Sequence, residues 1–185
     1  MKRLMVFAVV AMFVLASAGL VFAGGAKNPL RAGEKEVHKG FAAMIPADHI
    51  IGVDQFYKVY QEVMAGKRKA YLIDVRTHPE FYAFHIEGTD HIHAGHMYTI
   101  PKKIKDPNAE IYVWCRTSHR AKYVAGFLYK YGYKNVWLYK GGVVGWAKAG
   151  LPFVNQFTGT FKILEYRKKP SALEKSFRIR EFHPY

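Results

Sequence analysis

The sequence predicts an α/β fold: an open parallel sheet with helices on both faces. Two observations carry this. Three short runs, Tyr71-Leu72-Ile73, Ile111-Tyr112-Val113-Trp114 and Val136-Trp137-Leu138-Tyr139, read as buried strands. Segments of helical period separate them, so strands and helices alternate. In open sheets of this kind ligands bind at the carboxyl ends of the strands. The single cysteine, Cys115, stands there, directly after one strand and directly before a helix.

The elements follow in order. Residues 1–23 begin with Lys2 and Arg3, carry no charge from Leu4 to Ala23, and end Val21-Phe22-Ala23. They read as a secretory signal peptide; the alternative is an uncleaved membrane anchor. Export makes the protein periplasmic or secreted, and membrane association then requires the uncleaved form. Residues 24–48 show no sustained period and read as a linker, with the folded domain at 49–155. Ile50-Ile51 is a short apolar step. Asp54 is placed to cap a helix over 55–65, with Phe56, Val59, Tyr60 and Val63 on one face and Gly66 at its end. The strand at Tyr71 ends at Asp74. The turn Asp106-Pro107-Asn108 leads into the strand Ile111–Trp114. A helix over 121–131 places Tyr123, Val124, Phe127, Leu128 and Tyr131 on one face, and Gly132 closes it. Gly141-Gly142 turns the chain into a short helix around Trp146, stopped by Gly150-Leu151-Pro152. Residues 156–185 form a basic C-terminal extension with seven basic and three acidic residues. Within it, 161–166 reads as an edge strand and Pro170-Ser171 with Glu174 as a capped short helix.

Composition narrows the class. The chain has 185 residues, 28 basic and 14 acidic, for a net charge of +14, and half of its residues are apolar. That suffices for a globular core and excludes a disordered polyelectrolyte. One cysteine excludes an intramolecular disulfide and a cysteine-rich zinc module. The positive surplus favours anionic partners.

The segment Cys115-Arg116-Thr117-Ser118-His119-Arg120 is the most informative. A tight loop from strand to helix turns backbone N–H groups toward a common centre, and the helix dipole makes that centre an anion site. Cations and a helix N-terminus also favour the thiolate, the nucleophilic form of cysteine. Arg116, Arg120 and Lys122 supply the cations, and His119 adds to them when protonated. A lone cysteine is ordinarily a small buried apolar residue; the loop sets this one apart. Arg120 is better placed than Arg116 to fold back over the sulfur.

With this loop on the page, the chain resembles the rhodanese family of sulfurtransferases, over roughly 50–154. Asp74-Val75-Arg76 with Pro79-Glu80-Phe81 resembles the first family signature, and His85-Ile86-Glu87-Gly88-Thr89 the second. Residues 115–120 match the active-site loop. Gly132-Tyr133, Asn135-Val136, Gly141-Gly142, Trp146 and Ala149-Gly150-Leu151-Pro152 match the closing half. The resemblance implies a rhodanese-like sheet of about five strands and sulfane-sulfur transfer from thiosulfate or polysulfide through a Cys115 persulfide. It implies substrate binding by Arg116, Thr117, Ser118, His119 and Arg120, a structural role for Asp74 and Arg76, and no cofactor. Candidate partners are small anionic sulfur compounds, a sulfur-accepting protein or a membrane respiratory enzyme. The alternatives are a sulfur carrier with little free turnover and a cysteine phosphatase or arsenate reductase. Phosphatase loops have five residues between Cys and Arg. Here there are four, which suits sulfur better than phosphate. The chain departs from the pattern at Phe84, where glycine is usual, and over Asp90–His96.

Five of the nine histidines fall between His78 and His96. His91 and His93, on one strand face, with His96 or Asp90, offer imidazole ligands for zinc or copper. The competing reading, that they are polar side chains without a resident metal, is preferred. Nucleic acid is disfavoured as a partner, because the aromatics fall on core-facing positions and no binding motif is present.

Overall fold

The computed structural model describes residues 28–164. The expected signal peptide and the short helix near Pro170 lie outside the described residues. The described residues fall into two units, 28–37 and 38–164. No helix among the described residues is long and apolar enough to cross a membrane.

In chain order the elements are α1 (Pro29–Ala42), β1 (Ile50–Ile51), α2 (Val53–Met64), β2 (Tyr71–Asp74), α3 (His78–Ala83), β3 (Asp90–His91), a 3-10 turn (Ala94–Thr99), α4 (Ile100–Lys103), β4 (Ile111–Trp114), α5 (His119–Tyr131), β5 (Val136–Tyr139), α6 (Gly142–Lys148), β6 (Phe153–Asn155) and β7 (Gly159–Phe161). Strands β1 to β5 form one parallel sheet in the order β1-β5-β4-β2-β3. The α/β class and the five-stranded parallel sheet are therefore as expected.

Strand periodicity divides the core in two, because successive side chains point to opposite faces. Ile73, Val113 and Leu138 pack with Val124, Ala125 and Leu128 of α5 and with Ile100 of α4. Leu72, Tyr112, Trp114 and Tyr139 pack with Phe56 and Val59 of α2 and with Val143 and Trp146 of α6. One face is aliphatic, and the other is largely aromatic.

Four expectations change. Residues 24–48, expected as a linker, contain the 14-residue α1. The second unit begins at His38; Phe41 lies against Phe127, with ring centres 4.2 Å apart, and Ile45 is buried in the aliphatic core. Asp54 does not cap α2. The cap is Gly52, whose N–H donates to Gln55 Oε1 at 3.4 Å, and Asp54 sits in the first turn. On α5 the buried residues are Ala121, Val124, Ala125, Gly126 and Leu128, whereas Tyr131 is exposed. Gly126 is buried against α1, where a Cβ would lie 2.7 Å from the Phe41 carbonyl oxygen. Of the edge strand expected at 161–166 only Phe161 lies in a strand, as the last residue of β7, which pairs antiparallel with β6 in a separate hairpin; 162–164 are not in a strand and 165–166 lie outside the described residues. Asn155 Oδ1 accepts from the N–H groups of Phe157 and Thr158 at 2.9 and 2.8 Å, which sets that turn. The fold thus continues past residue 155.

The connections place the site. After β2 the chain passes through α3 to β3 on one side; after β4 it passes through α5 to β5 on the other. The carboxyl ends of neighbouring β2 and β4 therefore border a crevice where the winding reverses, the point at which such sheets bind ligands.

Candidate active site

Cys115 lies at this crevice, 1% exposed, immediately after β4. The chain turns sharply through Ser118, the one described non-glycine residue with positive φ, at +103°. An L-residue adopts that conformation only when its surroundings hold it there. Two contacts do so. The Ser118 N–H donates to Cys115 Sγ at 3.2 Å, and the Ser118 hydroxyl accepts from the Gly141 N–H at 3.0 Å. Helix α5 starts at the next residue, so its positive end also faces the sulfur.

The loop is braced from behind by the start of α6. The Val143 and Val144 N–H groups donate to the carbonyls of Cys115 and Arg116 at 3.1 and 3.2 Å. Approach this close requires glycine at 142: a Cβ there would lie 2.0 Å from the Cys115 carbonyl oxygen. Gly142 also has positive φ, +54°. Sequence reasoning placed a turn at this glycine and missed its role as the platform under the loop.

The Arg120 guanidinium interacts with the Cys115 side chain. It is not a free cation. Its two terminal nitrogens donate to Glu80 at 2.6 and 2.8 Å, and this pairing raises the Arg120 pKa. Burial raises the Glu80 pKa, but hydrogen bonds from Arg120 and from Thr77 outweigh it and hold the carboxyl at about 2. Glu80 also closes the capping box of α3 with Thr77. One carboxylate therefore joins the first turn of α3 to the cysteine loop. Sequence reasoning quoted Glu80 in a motif but gave it no role.

Asp74 and Arg76 form a buried pair, 0% and 1% exposed, with Arg76 Nε 2.8 Å from Asp74 Oδ2. The guanidinium also donates to the carbonyls of Glu80 and Phe84 at 3.0 and 2.6 Å. All its partners are scaffold groups, in keeping with a structural role.

Of the six loop residues, Cys115, Ser118 and Arg120 are brought together. Arg116, Thr117 and His119 are exposed on the rim. His119 stacks on His38, with ring centres 4.3 Å apart and planes within 6°. His38 lay in the stretch expected to be a linker, so no local signal pointed to it.

The histidine segment borders the same crevice. The Ile92 and Ala94 N–H groups donate to the carbonyls of Asp74 and Val75, each at 3.1 Å. His91 Nε2 lies 2.8 Å from the Arg76 carbonyl; a carbonyl only accepts, so Nε2 carries the proton. β3 ends at His91, and His93 precedes the 3-10 turn, so the two do not share a strand face. Among the described residues no group of three His, Cys, Asp or Glu is arranged to hold a metal ion.

Residues 57–149 match the family model described as the rhodanese-like domain. The chain belongs to the rhodanese family. A thiosulfate sulfurtransferase of Haemophilus influenzae is 34% identical over 83 residues, covering 45% of this chain and 78% of that one. A sulfurtransferase of Allochromatium vinosum is 27% identical over 93 residues, covering 49% and 84%. The solution structure of the polysulfide-sulfur transferase homodimer of Wolinella succinogenes superposes with a TM-score of 0.54 at 25% identity, covering 69% of this chain and 91% of that one. These rhodanese relatives support sulfur transfer as the general activity.

Proposed function

We propose that the protein moves sulfane sulfur from thiosulfate or polysulfide to a nucleophilic acceptor through a persulfide on Cys115. The Cys115 thiolate attacks the outer sulfur of the donor. The donor's sulfur–sulfur bond breaks, and sulfite or a shorter chain leaves with the bonding electron pair. An acceptor thiolate or cyanide then attacks the outer sulfur of the persulfide and returns Cys115 as thiolate. Cys115 is the catalytic residue. The Ser118 amide and the α5 N-terminus stabilise negative charge on the sulfurs. Arg120, positioned by Glu80, attracts the anionic donor, with Arg116, Thr117 and His119 at the entrance. The observation that carries this reading is the Ser118 N–H held 3.2 Å from Cys115 Sγ at the carboxyl end of β4.

The near-complete burial of Cys115 favours a second version of the same chemistry. There the protein is a carrier that shields its persulfide and passes it to a sulfur-accepting protein or membrane respiratory enzyme. We place both versions outside the cytoplasm, on the signal-like residues 1–23.

Single-turnover kinetics test the proposal. Mixing the enzyme with thiosulfate and no acceptor should release one equivalent of sulfite per Cys115. Cys115→Ser should release none. Equal sulfite from both proteins would remove Cys115 from the chemistry. A full burst followed by turnover below about a hundredth of the burst rate with cyanide or small thiols identifies a carrier.

A further inference from the structure

A cavity of about 350 Å³ opens between α3, the 3-10 turn and α4, with His78, His91, His93, His96, Thr99 and Lys103 on its walls. The ring centre of His78 lies 4.8, 5.8 and 6.1 Å from those of His91, His93 and His96, and His93 lies 5.6 Å from His96. Four imidazoles and one ammonium thus share one volume, and no carboxylate lines it among the described residues. The charged groups around it leave this imbalance in place. Glu80 is engaged by Arg120. Asp90 lines a separate cavity of about 150 Å³ that shares His91, Ile92 and Lys103 with the first. Burial, then His96, His78, His91 and Arg120, hold the His93 pKa below its ordinary value. His93 is therefore poised to gain a proton when negative charge enters.

We propose that this cavity is a second anion subsite, which takes a small sulfur oxyanion between His78, His93, His96 and Lys103. The choice of a sulfur oxyanion rests on the sulfur-transfer reading; the preference for an anion rests on the cavity alone. His91 orients the segment through the Arg76 carbonyl. Arg120 is among the charges that act on His93 and also interacts with the Cys115 side chain, so it lies between the subsite and the sulfur. It can hold thiosulfate before transfer or sulfite after it. Affinity rises as pH falls through the imidazole range, because protonation supplies charge that only an anion compensates.

The test uses the full chain carrying Cys115→Ser, labelled for imidazole NMR and titrated separately with thiosulfate and with sulfite at about pH 6 and pH 8. The expected result is saturable shifts of His78, His93 and His96, tighter at the lower pH, with the His93 pKa raised in the complex. Lys103→Ala, an exposed change, should weaken binding by about fivefold while leaving the fold intact. A stronger response to thiosulfate assigns the subsite to the donor; a stronger response to sulfite assigns it to the product. Absence of saturable histidine shifts, or shifts confined to the 115–120 loop, overturns the proposal. So does micromolar zinc or copper binding at these histidines with no response to either anion. Persulfide formation by the wild-type protein is measured in parallel. A persulfide with silent histidines removes the subsite alone. Responding histidines without a persulfide remove the sulfur-transfer reading and leave an oxyanion site.

Discussion

The two walls of the crevice are built differently. The cysteine loop is fixed from every side: its carbonyls by the N–H groups of Val143 and Val144, the Ser118 hydroxyl by Gly141, Arg120 by Glu80. The histidine segment is tied at its root, through Ile92, Ala94 and the ring of His91, and presents partly exposed imidazoles to a cavity. One wall is preorganised for a single sulfur atom, where small displacements are costly. The other is titratable and adjusts its charge to what enters.

Arg76 anchors the root of the histidine wall, since its side chain holds Asp74 and its carbonyl accepts from His91. Arg76→Ala leaves the Asp74 carboxylate buried without its partner. It should lower stability by about 3–5 kcal/mol, measured by urea denaturation. Sulfur transfer per folded molecule should fall much less, because no Arg76 donor points at Cys115. A loss of activity exceeding the loss of folded protein would break the distinction between scaffold and site.

Gly142→Ala should act on the cysteine wall alone. The new methyl would displace the Cys115 carbonyl, and a shift of about 1 Å should reduce transfer by about a hundredfold. The imidazole resonances of the histidine wall should stay in place. If they move as well, the walls are one cooperative unit.

Glu80→Gln sharpens the contrast further. It frees Arg120 and should lower kcat by about tenfold, because a positioned cation is lost rather than a charge. The pair, about a third exposed, contributes little stability, and its pH dependence has a definite sign. The folded pKa of Glu80 is depressed to about 2. Its contribution is therefore complete above the ordinary carboxylate range and is lost as pH falls through about 2. The stability difference between wild type and Glu80→Gln should shrink over that acid range and stay flat above about pH 5.

Arg116→Ala should have the smallest effect. Its side chain is exposed on the rim, and a rise in KM of about twofold with unchanged kcat is expected. A fall in kcat would place Arg116 against the reacting atoms.

These contrasts also show what could be seen in the sequence. The strands were visible because Leu72, Tyr112 and Trp137 flank residues buried on the opposite face, so the runs are apolar throughout. Cys115 to Arg120 was visible because strand, nucleophile, helix start and cation are contiguous. What escaped is long-range or depends on close approach. Glu80 meets Arg120 across forty residues, and His78 joins the other histidines only because α3 lies over the end of β3. Helix α1 escaped because it is mostly polar, with Gly33 and Gly40 inside it, and because Phe41 finds its partner far along the chain in Phe127. The space under the loop that only Gly142 can fit is set by α6 against Cys115, and a turn prediction carries no such distance.

The central claim is that Cys115 holds the transferred sulfur. Intact-mass spectrometry of the wild-type protein after incubation with thiosulfate, and separately with polysulfide, tests it directly. The expected result is one added sulfur atom, mapped to Cys115, removed by cyanide and absent from Cys115→Ser. No adduct with any sulfane donor, or an adduct that persists in Cys115→Ser, would contradict it.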